Sequence, residues 1–316
     1  MLLSNIFTAV AMVFTLTSLG FLLKRSGWVD PATFKLIPRF MTNIVIPPFL
    51  LRSATVTFSH DQLPTLLRGA IVPILSIFLC FGVAWALTFL CKVTPERRGV
   101  FKAAFAASNT VNIGVPINVA LFGEAALQPV LLYIFANGLF FWSVGNYCIA
   151  HDGEGKHIRI FSLKTVRQIF SPPFTGFIIG LCLVLFDISL PSFLDKSFKY
   201  IGDMTVGMCT MYLGMLLHEI KLRDFTPEKD IVLVLLGRFI ISPLAIILLA
   251  CIFPIPNTML KVFIVQSSLP VMLNVAIITA YYKGDTKYAA VIASLSTMMV
   301  VVTVPLIALF IAAYFP

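Results

Sequence analysis

Residues 101–123 read FKAAFAASNTVNIGVPINVALFG, an apolar run long enough to cross a bilayer as one helix. The middle of this run carries residues that a spanning helix avoids: Asn109, Thr110, Asn112, Gly114 and Pro116. Proline removes a backbone donor and clashes with the carbonyl four residues earlier, and carboxamides need partners that hydrocarbon does not supply. We predict a broken helix that forms half of a binding site. A proline kink satisfied by neighbouring helices is the alternative.

Composition places the chain in a membrane. Of its 316 residues, 59% are hydrophobic and 12% charged, and the mean hydropathy is +0.97. Soluble domains carry about a quarter charged residues. The net charge of +9 comes from short basic clusters between apolar runs, which indicates topology signals rather than nucleic-acid binding. The six cysteines form no CxxC pair and have no histidine at ligand spacing, so we expect neither disulfides nor a metal site.

Ten apolar segments of spanning length follow one another, and the polar segment 151–170 separates the fifth from the sixth. They lie at about 3–23, 34–53, 69–91, 101–123, 126–150, 172–190, 199–217, 231–253, 260–281 and 288–314. The first is expected to be a retained helix rather than a signal peptide. With the N-terminus outside, 18 of the 23 Lys and Arg residues fall on the inner side and 5 on the outer side. The positive-inside rule therefore predicts a multi-pass protein of the cytoplasmic membrane with both termini outside.

The two halves repeat each other. Arg68 precedes Pro73 by the same spacing as Arg238 precedes Pro243, and each half ends a broken span with a Gly-acid turn, at Gly123 and at Gly284. Five spans per half are an odd number, so the second copy must enter the membrane in the opposite sense. We predict an all-α integral membrane protein with ten transmembrane helices in two inverted five-helix repeats. The repeats are 1–150 and 171–316, joined by a cytoplasmic loop at 151–170, and the broken fourth and ninth helices cross at mid-membrane.

The second break reads QSSLPVMLN, residues 266–274. A site for a small organic anion needs neutral donors and helix N-termini, which hold a carboxylate without trapping it. The candidates for substrate binding are Asn109, Asn112, Pro116, Ser267, Ser268, Pro270 and Asn274, with Thr110 and Gln266 as weaker members. For any one of these side chains, the alternative role is to satisfy freed backbone groups.

Four further residues are candidates for coupling or support: Asp203, Asn43, Arg68 and Arg238. Asp203 is a carboxylate inside a predicted span, which makes it a functional candidate, although a helix-end carboxylate in headgroup water is the alternative. Arg68 and Arg238 could attract anions, but cationic chains at helix ends usually extend to the interface. Asn43 and Asn137 are explained equally well by hydrogen bonds between helices.

Several motifs resemble one transporter family: NTVNIGVP at 109–116, SSLP at 267–270, the YKGD turn at 282–285, and the stretch 294–305. At these positions the chain resembles the auxin efflux carrier family, which includes the plant PIN carriers and bacterial transporters assigned to malate and malonate. The likeness covers the whole chain. It implies secondary active transport of a small carboxylate, with Asn112 and Pro116 on one side of the crossing and Pro270 on the other. It also implies that spans three to five and eight to ten move as a crossover domain against spans one, two, six and seven.

Two other classes of protein share features with this sequence. A sodium-coupled bile-acid-type symporter shares ten inverted spans with crossed breaks, and it stands as the alternative function. An intramembrane aspartyl protease is a remote alternative, because Asp285 falls in a predicted turn rather than beside Asp203. No HExxH, GxSxG or phosphate-binding glycine loop occurs, so we predict a protein that is not an enzyme and has no cofactor. The expected partners are an organic anion, H⁺ or Na⁺ as coupling ion, and the bilayer; a homodimer is left open.

Overall fold

The computed structural model describes residues 2–60, 68–153, 171–219 and 228–315. These residues are nearly all helical, and apart from one isolated bridge they form no β-structure. We number the helices α1 (Leu2–Arg25), α2 (Pro31–Thr57), α3 (Ile71–Leu90), α4 (Arg98–Ala106), α5 (Thr110–Phe122), α6 (Glu124–Asp152), α7 (Pro172–Leu185), α8 (Ser192–Glu219), α9 (Lys229–Ile252), α10 (Asn257–Ser267), α11 (Asn274–Tyr281) and α12 (Thr286–Tyr314). Most of the predicted loop 151–170 lies outside the described residues.

Five of the described helices are long and apolar enough to cross a membrane: α2, α3, α6, α9 and α12. Two shorter apolar helices, α5 and α7, accompany them. The prediction of an all-helical protein with membrane-spanning helices is confirmed at this level. Some boundaries differ from their predictions: α8 begins at Ser192 rather than near residue 199, and α7 ends at Leu185 rather than near residue 190.

Wide π-helical turns interrupt four of the helices, at Met41–Val45, Thr110–Gly114, Phe141–Gly145 and Gly237–Ile241. Three of these turns end two residues before a proline, namely Pro47, Pro116 and Pro243. Proline has no N–H for the carbonyl four residues earlier and clashes with it, and a wider turn relieves that clash without ending the helix. Pro47 and Pro243 therefore go with widened turns in helices α2 and α9 but leave these helices continuous.

The described helices form two compact units. The first unit comprises Met1–Gly69, Val111–Leu132 and Phe170–Glu219. In this unit α1 lies along α8 and α2 lies along α7. The α1–α8 contact depends on glycine: a Cβ added to Gly20 would lie 1.9 Å from the carbonyl oxygen of Met211, and one added to Gly214 would lie 1.8 Å from that of Thr17. Close backbone approach of this kind is the usual role of small residues in membrane helices.

The second unit comprises Ala70–Thr110, Tyr133–Ile169 and Ile220–Pro316. The short helix α4 is buried here against α3 and the end of α6. The carboxylate of Asp152, at the end of α6, accepts hydrogen bonds from the N–H groups of Gly99 (2.5 Å) and Val100 (3.0 Å). These are orphan donors of the first turn of α4, and a carboxylate stabilises the positive end of that helix.

An ion cluster holds the start of α4 to two other helices of the second unit. Arg97 pairs with Asp285 (Nε–Oδ2 2.8 Å) and with Glu228, and its guanidinium lies 4.6 Å from the ring centroid of Tyr288. Asp285 also caps α12, because its carboxylate accepts from the N–H of Tyr288 at 2.9 Å. The loop before α4 is thereby tied to the starts of α9 and α12.

Candidate functional site

The two interrupted helices meet at their breaks, within the second unit. Helix α4 ends at Ala106, α10 ends at Ser267, and Ser108 pairs with Val271 in an isolated antiparallel bridge. Around this bridge the N–H of Asn109 donates to the carbonyl of Pro270 at 2.9 Å, and the N–H of Met272 donates to the carbonyl of Ala107 at 3.3 Å. The backbone groups released by the two breaks therefore satisfy one another, as a buried interruption requires. We call the segments 107–110 and 268–273 the crossing.

Two side chains from other helices complete the hydrogen bonding of the crossing. Asn137, on α6, donates from Nδ2 to the carbonyl of Ser108 and accepts from its N–H through Oδ1, both at 3.0 Å. Ser296, on α12, accepts from the N–H of Val271 at 3.1 Å. Both side chains are buried. An interhelical hydrogen bond was the other explanation for Asn137. In the structure, Asn137 bonds the backbone of the first break, at Ser108.

Arg238 is the largest fully buried side chain among the described residues. It projects from the π-turn of α9 towards the ends of α4 and α10. Its guanidinium donates to Leu269 O (3.1 Å), Phe105 O (3.2 Å), Ala106 O (3.0 Å), Ser267 O (2.5 Å) and Ser242 Oγ (3.4 Å). Four of these five acceptors are backbone carbonyls at the C-terminal ends of the two interrupted helices.

The placement of Arg238 corrects the sequence interpretation. We expected it at the inner end of its span, extended to the interface like Arg68. Arg238 instead lies 238 − 229 = 9 residues inside α9 with 0% exposure, whereas Arg68 is exposed. The two arginines share a spacing to proline but differ in environment. Arg238 is therefore not a topology signal, and the basic residues assigned to the inner side fall from 18 to 17.

Polar groups at the crossing stay unpaired among the described residues. Nδ2 of Asn109 is buried and finds no acceptor, and both amide atoms of Gln266 are buried without a partner. Ser267 and Ser268 behave differently from the expectation that they donate to a ligand. Their hydroxyls donate to carbonyls one turn earlier in α10, at 2.9 Å and 3.0 Å. The unpaired buried groups at the crossing are thus the amides of Asn109 and Gln266 and the hydroxyl of Ser108.

The remaining predicted residues flank the crossing in the chain. Pro270 is buried and contributes its carbonyl to the bridge. Asn274 is half-buried and is the first residue of α11. Asn112 is half-buried in the π-turn that opens α5, and Pro116 is buried in the following turn; both are grouped with the first unit.

Two of the support candidates occupy exposed positions of the first unit. Asp203 is 59% exposed and pairs with Lys199 at 2.7 Å, one turn earlier in α8. It lines a cleft of about 290 Å³ that also includes Arg52 and Glu124. Asn43 is exposed, and its amide donates at 2.7 Å to the carbonyl of Arg39 in the same helix. Asp203 therefore lacks the buried setting expected of an intramembrane proton carrier, and the side chain of Asn43 bonds within its own helix.

The described residues contain no cluster of three or more His, Cys, Asp or Glu side chains that could hold a metal ion. The polar groups at the crossing are side-chain amides, the hydroxyl of Ser108, backbone groups and the guanidinium of Arg238.

Comparison with known proteins assigns the family. A family model described as membrane transport protein matches residues 5–308. The chain is 27% identical to an uncharacterized transporter of Methanocaldococcus jannaschii over 289 residues, which cover 89% of this chain and 91% of the relative. It is 23% identical to an uncharacterized transporter of Methanothermobacter thermautotrophicus over 306 residues, covering 94% and 95%. The chain belongs to this membrane transport family, the auxin efflux carrier family that its motifs resemble, and that prediction is confirmed.

Proposed function

We propose that this protein is a secondary active transporter of small organic anions, such as malate, malonate or auxin-like acids, and that the carboxylate binds at the crossing. The observation that carries the proposal is the pairing of the two breaks at Ser108 and Val271, beside buried amide groups that have no partner. Buried polar atoms are almost always hydrogen-bonded, so unpaired donors at an interrupted helix indicate a place for a polar ligand.

The donors of the crossing suit a carboxylate. Nδ2 of Asn109 is only a donor, and it is buried where a hydrogen bond to a charged oxygen is strong. Helix α11 begins at Asn274, and the N-terminal end of a helix carries a positive partial charge that favours anions. Asn112 lies in the first turn of α5, which is the second half of the first interrupted helix, as α11 is of the second. Ser267, Ser268, Pro116 and Pro270 shape the backbone that presents these groups.

The grouping of helices supports alternating access by movement of a crossover domain. One unit collects α1, α2, α7 and α8, and the other collects α3, α4 and α9–α12. Val111–Leu132, which holds most of α5 and the start of α6, groups with the first of these units, whereas the resemblance implies that it moves with the crossover domain. Each predicted repeat, 1–150 and 171–316, contributes helices to both units. We propose ten spans in two inverted repeats, both termini outside, and an elevator in which the unit that contains the crossing carries the substrate.

The proposal is tested with purified protein in liposomes. Labelled mono- and dicarboxylates are offered in turn, with imposed H⁺ or Na⁺ gradients. Asn109→Ala and Asn274→Ala are each expected to remove one charge-assisted hydrogen bond, worth about 1.5 to 3 kcal/mol, so affinity is expected to fall about 10- to 150-fold. Thr15→Ala, an exposed position on α1, is the matched control.

Two outcomes would contradict the proposal. Failure of monodisperse wild-type protein to move any carboxylate of the panel would remove the substrate class. Normal affinity in both asparagine variants would move the site away from the crossing. Pro116→Ala and Pro270→Ala address the breaks themselves, because restored helical hydrogen bonds would withdraw the amides and reduce transport in protein that still folds.

A further inference from the structure

The charge of Arg238 is buried without an acidic partner among the described residues. Its side chain is 0% exposed, and the ion pairs of the described chain do not include it. A buried charge is costly unless its surroundings compensate it. Here the compensation comes from backbone carbonyls at the ends of α4 and α10.

The two helix ends supply about one unit of negative charge. A helix C-terminus carries roughly −0.5 elementary charge, concentrated on the last unpaired carbonyls, so two of them sum to about −1. Arg238 contacts Phe105 and Ala106 at one end and Ser267 and Leu269 at the other. A single guanidinium therefore neutralises both ends and hydrogen-bonds to both.

Carbonyls at the ends of interrupted helices are also the ligands by which secondary transporters hold a coupling cation. We infer that Arg238 is a fixed cation that takes the place of a coupling Na⁺ at the crossing, so that transport is independent of Na⁺. The inference rests on the proposed transport function and bears on its ion coupling. It separates this protein from the sodium-coupled symporter that shares the predicted architecture.

The local structure favours arginine at this position. The planar guanidinium offers five N–H donors in a fixed fork, whereas an ammonium group is a compact point charge. Gly237 lets α9 approach α4, because a Cβ there would lie 2.3 Å from the ring of Phe105. The π-turn Gly237–Ile241 then directs Arg238 between the two helix ends.

The first experiment needs no substrate. Thermal unfolding of purified protein is followed in NaCl, KCl, choline chloride and low-millimolar guanidinium chloride at equal ionic strength. The wild-type Tm is expected to be the same in Na⁺ and K⁺. Arg238→Ala is expected to lower the Tm by about 6 to 20 °C, with partial recovery in guanidinium but not in choline. Arg25→Ala, an exposed arginine, should show neither effect.

Two further variants keep the inference testable if Arg238→Ala does not fold. Arg238→Lys keeps the charge and should be intermediate in Tm and transport rate, while Arg238→Met keeps an unbranched apolar chain without the charge and should resemble Arg238→Ala. In liposomes, replacing Na⁺ by K⁺ should leave wild-type transport unchanged. Stabilisation or acceleration of the wild type by Na⁺ would overturn the inference, as would wild-type stability of Arg238→Met. Absence of carboxylate transport would refute the proposed function instead. The Tm comparison in Na⁺ and K⁺ needs no substrate, so its result still tests the role of Arg238.

Discussion

Replacing Asn137 by alanine should open the crossing. Its amide satisfies both backbone groups of Ser108, donating to the carbonyl and accepting from the N–H at 3.0 Å each. Both groups are buried, since Ser108 and Asn137 are 0% and 1% exposed. An unsatisfied buried polar group costs about 1 to 3 kcal/mol, so the loss of two partners should destabilise the protein by about 2 to 6 kcal/mol. At 2 to 4 °C per kcal/mol, the Tm should fall by roughly 4 to 24 °C.

The assay combines thermal unfolding in detergent with amide hydrogen exchange of the peptide that contains Ser108. Exchange should rise in Asn137→Ala at the crossing while α1 and α8 keep their protection.

Asn137→Asp tests the same two hydrogen bonds separately, because an ionised carboxylate can accept from the Ser108 N–H but cannot donate to its carbonyl. Protonation restores a donor, so the stability of Asn137→Asp should improve as the pH is lowered. Thr15→Ala, which removes an exposed hydroxyl on α1, should change stability by less than about 0.5 kcal/mol. A Tm and exchange pattern unchanged from wild type in Asn137→Ala would refute the assignment.

Three other predictions test separate parts of the structure. Gly237→Ala should cost about 1 to 3 kcal/mol in thermal unfolding because its Cβ meets the Phe105 ring, whereas Gly82→Ala, with open space around the new Cβ, should be neutral or stabilising. Asp203→Asn should leave the pH dependence of transport unchanged, because the exposed carboxylate only pairs with Lys199; a flattened pH profile would make Asp203 the coupling acid. Single cysteines replacing Glu154 and Asp224, which lie outside the described residues, should resist impermeant thiol reagents in intact cells, and labelling of both from outside would invert the predicted topology.

The positions of the two breaks could be predicted from the sequence because their chemistry is local. A proline next to carboxamides in an apolar run marks a stretch where the helix is weakened. The broken runs 101–123 and 266–274 could therefore be predicted, but the first break lies at residues 107–109, before the π-turn that precedes Pro116. Pro47, Pro116 and Pro243 each follow such a π-turn, whereas Pro270 lies in the second break itself. Whether a helix is broken or only widened near a proline depends on the hydrogen-bond partners that the released backbone groups can reach. Those partners come from distant segments of the chain.

The role of Arg238 could not be predicted for that reason. An arginine in an apolar run can extend to the interface or be buried, and the choice depends on acceptors that come 133 residues earlier in the chain, at Phe105, and 31 residues later, at Leu269. One signal was available: Arg238 lies well inside the apolar run 231–253, too far from its start for easy extension to water. Ser296 carried a comparable signal, since it belongs to a motif that resembles the transporter family.

The hydrogen bonds of the crossing also bear on how it could move. All of these contacts join residues of the second unit. They are the Ser108–Val271 bridge, the hydrogen bonds of Asn137 and Ser296, and the four carbonyl contacts of Arg238. The crossing as described therefore needs no partner from the first unit to keep its backbone satisfied. These hydrogen bonds can therefore stay intact while the crossing moves, which the proposed elevator mechanism requires. Under the proposed mechanism, hydrogen exchange at Ser108 and Val271 should stay slow during turnover, and fast exchange at both residues would indicate that the breaks rearrange in each cycle.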